Sequence, residues 1–533
     1  MVRSLLALPL LFAAPFAFAQ ALPPEQAQFR AHVAYLASDE MRGREPGTPE
    51  FDKAADYVVA QMKVLGIKPA GVDGGWFQPV TLVTVKPAGP ATLGVTRGGK
   101  RAALDVATDF AGIIDPANKV RALTGEAVFA GYGRTLEAGG ADDFAGLDVR
   151  GKIVLLLLGN PRDAAPGGFN PVAKIKAAMA LGAAGTILVE PTGAKGIPPF
   201  AMIAGFLAGG ETMLANPDGS LMQEDEGPAP MAFLSVAGAE KLFAGSPIAW
   251  ANVVAAQQAG TAVPRGALGA SADFSIEAAR TPISTRNVVG LIPGSDPVLK
   301  GQYLVLSAHL DHVGVGKPDA TGDTIYNGAM DNAVGVASIL EVSRAIKKSG
   351  KRPRRSILVM ALTGEEKGLF GSAYFAAYPT VPKAALVGNI NLDMPIFTYP
   401  LVDVVGTGAE HSSLGPSLAK AAKAVGLNVV PDPLPEENFF VRSDHYSFVK
   451  AGVPAISVDT GPGGEGAAAI KEFLAKHYHK PSDQITLPFN WQSAATYVRM
   501  NYLLMRDLAD ADARPRWNKG DEYGVKYKGY GAE

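Results

Sequence analysis

Hydrophobic positions change their period several times along the chain, and each change marks an element. Over 26–38, Phe29, Val33 and Leu36 share one helical face. A second helical pattern follows in Ala54, Val58, Met62 and Leu65. Thr48 precedes it as an N-cap, Pro49 takes the first helical position and Gly66 ends it. The polar, glycine-rich stretch 41–47 between the two patterns reads as a connector. Beyond 118 the pattern shortens. It predicts strands at 126–133, 152–158 and 186–189, a helix at 173–181 and a loop over 192–230. A linker over 259–266 leads out of this stretch. From 271 to 513, apolar strands at 303–308, 356–362, 386–392, 402–405 and 454–458 alternate with helices, the longest at 331–349. Runs apolar throughout imply a sheet buried on both faces. The expectation is a doubly wound α/β fold, with a mixed, mostly parallel sheet and helices on both faces.

Composition narrows the partners. Apolar residues make up 47% and charged residues 19%, which excludes a disordered chain. Lys and Arg number 49 against 51 Asp and Glu, so no basic surplus points to nucleic acid or an anionic membrane. The basic run 347–355 reads as a solvated turn, and Gln223-Glu-Asp-Glu226 as a solvated charge run. At the start, Arg3 precedes an apolar run over 5–18, and Ala17-Phe18-Ala19 offers a cleavage site. Residues 1–19 are expected to be a signal peptide, cut before Gln20. That run is too short to span roughly 30 Å of hydrocarbon. The mature protein is therefore expected to be exported, periplasmic or extracellular, without a membrane anchor. There is no cysteine, so any metal must be held by His, Asp or Glu.

Such groups collect at one place. Sites in open α/β sheets form beyond the carboxyl ends of the strands. His309 directly follows the 303–308 strand, with Asp311 two residues on. Glu365 and Glu366 follow 356–362, and Asp393 follows 386–392. Asp331 stands where the long helix begins, and His479 lies in Tyr478-His-Lys-Pro-Ser-Asp483. Taken singly, Asp331 is an N-cap, Glu365-Glu366 a helix-dipole pair and Asp393 a loop cap. Together they favour a divalent metal site of imidazole and carboxylate, suited to zinc, with cobalt or manganese as alternatives. His309, Asp331, Glu366, Asp393 and His479 are five suitable groups. A pair of metals needs a carboxylate between them. Glu365, adjacent to a proposed ligand, is placed to accept a proton from water. Asp311 is placed to orient His309.

Five motifs then stand in a telling order: Ala308-His-Leu-Asp-His-Val-Gly314, Asn327-Gly-Ala-Met-Asp-Asn-Ala-Val-Gly335, Thr363-Gly-Glu-Glu-Lys-Gly-Leu-Phe-Gly-Ser372, Asn391-Leu-Asp-Met394 and Tyr478-His-Lys-Pro-Ser-Asp483. They resemble the M28 metallopeptidases, which include exported bacterial zinc aminopeptidases. Tyr35-Leu-Ala-Ser-Asp-Glu-Met-Arg-Gly-Arg44 resembles the N-terminal part of the same catalytic domain. Phe129-Ala-Gly-Tyr-Gly133, Gly151-Lys-Ile-Val154 and Gly182-Ala-Ala-Gly-Thr-Ile187 resemble an inserted protease-associated (PA) domain, a smaller, mainly-β α/β unit. The expected organisation is a catalytic domain in two parts, 20–115 and 271–513, around an insert at 118–261. The tail 514–533 receives no role.

The resemblance implies two zinc ions per chain. His309, Asp331 and Asp393 would hold one; Asp331, Glu366 and His479 would hold the other, with Asp331 bridging. It makes Glu365 the general base and Tyr478 a stabiliser of the oxyanion. Ser443-Asp-His-Tyr446 resembles a segment lining the cleft, but Asp444 and His445 are not expected to be ligands. His312 and His477 are expected to support the site or the fold. The implied activity is hydrolysis of peptides or small proteins by an aminopeptidase. A carboxypeptidase or glutaminyl cyclase on the same scaffold, or a non-catalytic receptor-like binding protein, stays open, as does the oligomeric state.

Overall fold

Thr48 opens a helix because its side chain can serve a free amide. In the computed structural model of the protein, Thr48 Oγ1 accepts from the Phe51 amide at 3.2 Å and donates to the Glu45 carbonyl at 2.7 Å. The helix runs Pro49–Val64. Such a cap contributes about 1 kcal/mol. The first helix forms at Pro24–Leu36 and buries Phe29, Val33 and Leu36, the expected face. The structure describes residues 22–136, 142–161, 171–193, 197–222 and 229–533. The expected signal peptide and the acidic run 223–226 lie outside the described residues.

The chain forms two compact units. The larger takes the chain up to Phe77, Val288–Leu362 and Ala376–Glu533; the smaller takes Gln78–Asn287 and Thr363–Phe375. The sequence reading breaks the chain near 115–118 and 261–271 instead. Sheet pairing accounts for the earlier break. Thr92–Arg97 pairs with Ser271–Ser275, and Phe110–Gly112 pairs with Ala232–Leu234, so these strands belong to the smaller unit's sheet.

In the larger unit, four parallel strands form the centre of a mixed sheet. Their order is Ser356–Leu362, Tyr303–His309, Leu386–Asn391 and Ala455–Thr460. Residues 288–292 flank them antiparallel on one side, and Asp403–Thr407 does so on the other. All residues of Ser356–Leu362 and Leu386–Asn391 are buried, so both faces of the sheet are covered. This is the doubly wound, mostly parallel architecture that the apolar runs predict. The helix Trp491–Asp510 packs on Pro24–Leu36, Val334–Lys348 and Leu414–Ala424. Their shared core includes Val33, Val336, Ile339, Leu340, Tyr497 and Leu504. Each buried aliphatic side chain contributes about 1.5–3 kcal/mol.

The smaller unit has its own mixed sheet, with Val120–Phe129, Ile153–Leu157, Gly185–Val189 and Ala232–Leu234 parallel at its centre. Ile153, Leu155 and Leu157 point into one core, and Val154, Leu156 and Leu158 into another. That two-residue alternation places a core on each face of the sheet.

Two expectations need correction. The 192–230 stretch is not loop throughout: it contains the helix Phe200–Gly209 and the strand Glu211–Leu214. Frequent Gly and Pro hid a run of good helix formers, Ala201 to Ala204 and Leu207 to Ala208. The basic run 347–355 is not solvated at its end. Arg355 is fully buried and donates to the carbonyl of Leu508 in the last turn of Trp491–Asp510 and to those of Ala511, Asp512 and Ala513 just after it. The C-terminal stretch 514–533 is packed. Trp517 is buried and donates through Nε1 to the Gly452 carbonyl at 2.9 Å.

Candidate metal centre

The parallel strands set the site by where they stop. His309 is the last residue of Tyr303–His309 and sits opposite Leu362, the last residue of Ser356–Leu362. Asp393 stands two residues past the end of Leu386–Asn391. Asp331 lies in the turn Ala329–Ala333, which leads into Val334–Lys348. It is not the N-cap of that helix, a position that Ala333 holds. The Asp331–Asn332 peptide is cis.

Four of the predicted donors converge. His309 Nε2 lies 2.9 Å from Asp393 Oδ1 and 3.2 Å from Asp331 Oδ1. Asp331 turns its other oxygen to His479, with Oδ2 at 3.3 Å from Nε2. His309, Asp331 and Asp393 offer donor atoms close enough together to share one cation. His312 stands behind them, with Nδ1 3.9 Å from Asp331 Oδ2. Burial would raise the Asp331 carboxyl. The hydrogen bonds of His309 and His479 and the nearby His312 outweigh it and hold the group well below the usual carboxylate range. Asp331 is therefore an anion in a buried site, which a cation would compensate. Paired imidazole and carboxylate donors without thiolate fit zinc.

The remaining predicted residues take distinct places. Glu365 and Glu366 lie in the turn after Ser356–Leu362, half-buried, three and four residues beyond Leu362. The Glu365 carbonyl accepts from the Gly368 and Leu369 amides, which shapes that turn. Asp311 is buried, and its main-chain carbonyl, 3.1 Å away, faces His309 Nδ1. The Tyr478 ring stacks on that of His479, with centroids 3.9 Å apart. His477 pairs with Ser482 Oγ at 2.9 Å and packs near Phe473. His445 is buried against Phe440, and burial pushes its imidazole down to about 3, leaving it neutral.

Several supporting residues escaped the sequence reading. Asn332 binds both sides of the centre: its Nδ2 donates to the Leu392 carbonyl at 3.0 Å, and its Oδ1 accepts from Gly335 and Met394. A Cβ on Gly335 would meet the Leu392 carbonyl oxygen at 2.3 Å, so this approach requires glycine. Asp483 accepts from the amides of Met330 and Asp331 and so fixes the ligand turn. Burial pushes its carboxyl up to about 6. Ser443 donates to Asp393 Oδ2 and accepts from Asn391 Nδ2 at 2.9 Å. Ser307 in turn donates to Asn391 Oδ1 at 2.8 Å. The visible signal was the presence of Ser307, Asn389 and Asn391 in otherwise apolar strands.

Residues 287–505 match the model of peptidase family M28, and residues 123–242 match that of the PA domain. A probable zinc metalloprotease of Leptosphaeria maculans is 25% identical over 281 residues, covering 44% of this chain and 64% of its own. Aminopeptidase NAALADL1 of Mus musculus is 30% identical over 198 residues, covering 36% of this chain and 24% of its own. The chain thus spans less than two thirds of the length of either relative. An aminopeptidase from Aneurinibacillus sp. strain AM-1 has a solved structure that aligns with a TM-score of 0.52 at 20% identity, covering 92% of this chain and 95% of its own. That likeness is one of fold. With the M28 match lying over the segments that carry His309, Asp331 and Asp393, and the PA match over the smaller sheet, the chain carries a domain of the peptidase family M28 type over 287–505 and a PA domain over 123–242.

Proposed function

We propose that the protein is an exported di-zinc metallopeptidase that acts as an aminopeptidase. The observation that carries the reading is the Asp331 carboxylate, whose two oxygens face two different imidazoles, His309 and His479. In this reading His309, Asp331 and Asp393 hold one ion, and Asp331, Glu366 and His479 hold the other. Zinc held there supplies Lewis-acid polarisation of a carbonyl and makes water more acidic. Glu365 takes the proton from that water and returns it to the leaving amine. The Tyr478 hydroxyl donates to the oxyanion. Ser443 keeps the Asp393 carboxylate turned toward His309. Asp331 stays ionised because its imidazole partners outweigh its burial.

The family match supports hydrolysis of peptides, and the likeness to a mouse aminopeptidase supports release of N-terminal residues. The apolar run over 5–18, with Ala17-Phe18-Ala19 after it, supports export. No helix among the described residues is long and apolar enough to cross a membrane.

The test is a panel of free and N-blocked peptides, with and without chelator. Free peptides are expected to lose their first residue, N-blocked ones to resist, and added zinc to restore activity after chelation. Cleavage that favours N-blocked peptides and proceeds from the carboxyl end would replace the reading with a carboxypeptidase. Cyclisation of N-terminal glutamine would replace it with a cyclase. Zinc uptake without turnover of any peptide would leave a binding protein.

A further inference from the structure

Arg44 is a charged residue that the proposed mechanism leaves unused, and it is almost fully buried, at 1% exposure. Its guanidinium points at main-chain carbonyls. Nε donates to Leu310 at 2.8 Å, Nη1 to Asn327 at 2.7 Å and to Leu36, and Nη2 to Gly328 at 3.1 Å. Leu310 directly follows His309. Asn327 and Gly328 lead directly into the turn Ala329–Ala333, which carries Asp331. One side chain, itself far away in the chain, therefore holds two ligand-bearing segments to each other. The Arg44 carbonyl also accepts from the His312 amide at 3.4 Å, and Asp39 on the same loop accepts from Asn327 Nδ2 at 2.9 Å.

The backbone around Arg44 is bent to allow this. Arg42, Gly43 and Arg44 have φ of 43°, 71° and 49°, three left-handed residues in a row. Two of them are not glycine, which costs free energy and persists only where other contacts fix it. Gly43 lies so close to the hairpin ahead of the turn that a Cβ would stand 2.5 Å from the carbonyl oxygens of Gly314 and Tyr326. The loop is thus pressed against the segment that joins His309 to Asp331. A planar fork of five donors can hold several carbonyls at once, which a lysine ammonium cannot do with the same directions.

We infer that Arg44 is a positioning residue of the proposed metal centre, setting the His309 segment against the Asp331 segment. The inference rests on the function proposed above. The test compares wild-type protein with Arg44→Lys, and with Asp39→Ala at an exposed position, where only the bond to Asn327 is lost. Zinc affinity is read by competition with a chromophoric chelator, and ligand geometry by the visible spectrum of the cobalt(II)-loaded protein. Arg44→Lys is expected to bind zinc about tenfold more weakly, the scale of a lost support to a ligand, and to shift the cobalt spectrum. Its kcat is expected to fall while KM stays near that of the wild type. Asp39→Ala is expected to weaken zinc by about threefold, the scale of one lost hydrogen bond. Wild-type affinity and an unaltered cobalt spectrum in every variant that folds overturn the inference alone. Wild-type protein that takes up no zinc overturns it together with the proposed function.

Discussion

Glu365 and Glu366 are neighbours with the same side chain, yet the proposed chemistry gives one a proton and the other a metal. The two roles separate by substitution. Glu365→Gln removes a base without removing a ligand. It is expected to keep its zinc and lose about a hundredfold or more in kcat, the usual contribution of a general base. His479→Ala removes one of the two imidazoles facing Asp331 and is expected to lower the zinc content of the purified protein. Metal analysis beside a kinetic assay reads both. A Glu365→Gln enzyme with parental kcat, or a His479→Ala protein with parental zinc, contradicts its assignment. The convergence of His309, Asp331, Asp393 and His479 was legible in the sequence because the first three sit at the edges of recognisable elements. Arg44, Asn332, Asp483 and Ser443 were not. They act on main-chain groups or on another side chain's far oxygen, and such contacts leave no periodic trace.

At the scale of elements, the strand Ala455–Thr460 carries a carboxyl that the fold disfavours as an anion. Burial, with the nearby negative charge of Asp393, pushes Asp459 up to about 7, although Thr407 Oγ1 donates to it at 3.0 Å. A carboxyl raised in the folded state adds stability below its unfolded pKa of about 3.9 and loses that stability as pH rises through its folded value. Stability is therefore expected to decline between about pH 4 and pH 7 through this group. Three pKa units correspond to at most about 4 kcal/mol, and Asp459 keeps some exposed surface, so the effect lies below that bound. Asp459→Asn removes the titration. Urea unfolding at pH 8 is expected to show the variant more stable than the parent by about 1–3 kcal/mol, with the gain gone at pH 4. An equal difference at both values removes Asp459 as the cause. Elements themselves read well wherever the pattern was strict. Ser356–Leu362 matches its apolar run residue for residue, and Thr48 caps its helix. Phe200–Gly209 read poorly because it is apolar all round: Phe200, Ile203, Ala204 and Leu207 meet the core at helical spacing, but Met202 and Phe206 are exposed, so no polar face marks the period.

For the whole molecule, the breaks between units were harder to read than the units. Strand pairing decides them, and pairing joins residues far apart: Thr92–Arg97 joins the smaller sheet through Ser271–Ser275. The division has a thermodynamic consequence. Four of the five proposed ligands, His309, Asp331, Asp393 and His479, belong to the larger unit, and Glu366 lies in the short Thr363–Phe375 segment of the smaller one; the central strands of the smaller unit's sheet carry none of them. A cation bound only by the folded form stabilises it by RT ln(1 + [L]/Kd), about 4 kcal/mol at a thousandfold excess over Kd. Zinc is therefore expected to slow hydrogen exchange in Tyr303–His309, Ser356–Leu362 and Leu386–Asn391, because exchange from such central strands follows larger openings. Ile153–Leu157 and Gly185–Val189 are expected to exchange at nearly the same rate with or without chelator. Exchange measured peptide by peptide on the full chain tests this directly. Equal slowing in both groups of strands would mean that the metal stabilises the molecule as one cooperative body. No slowing in either would mean that the buried Asp331 anion is satisfied without it.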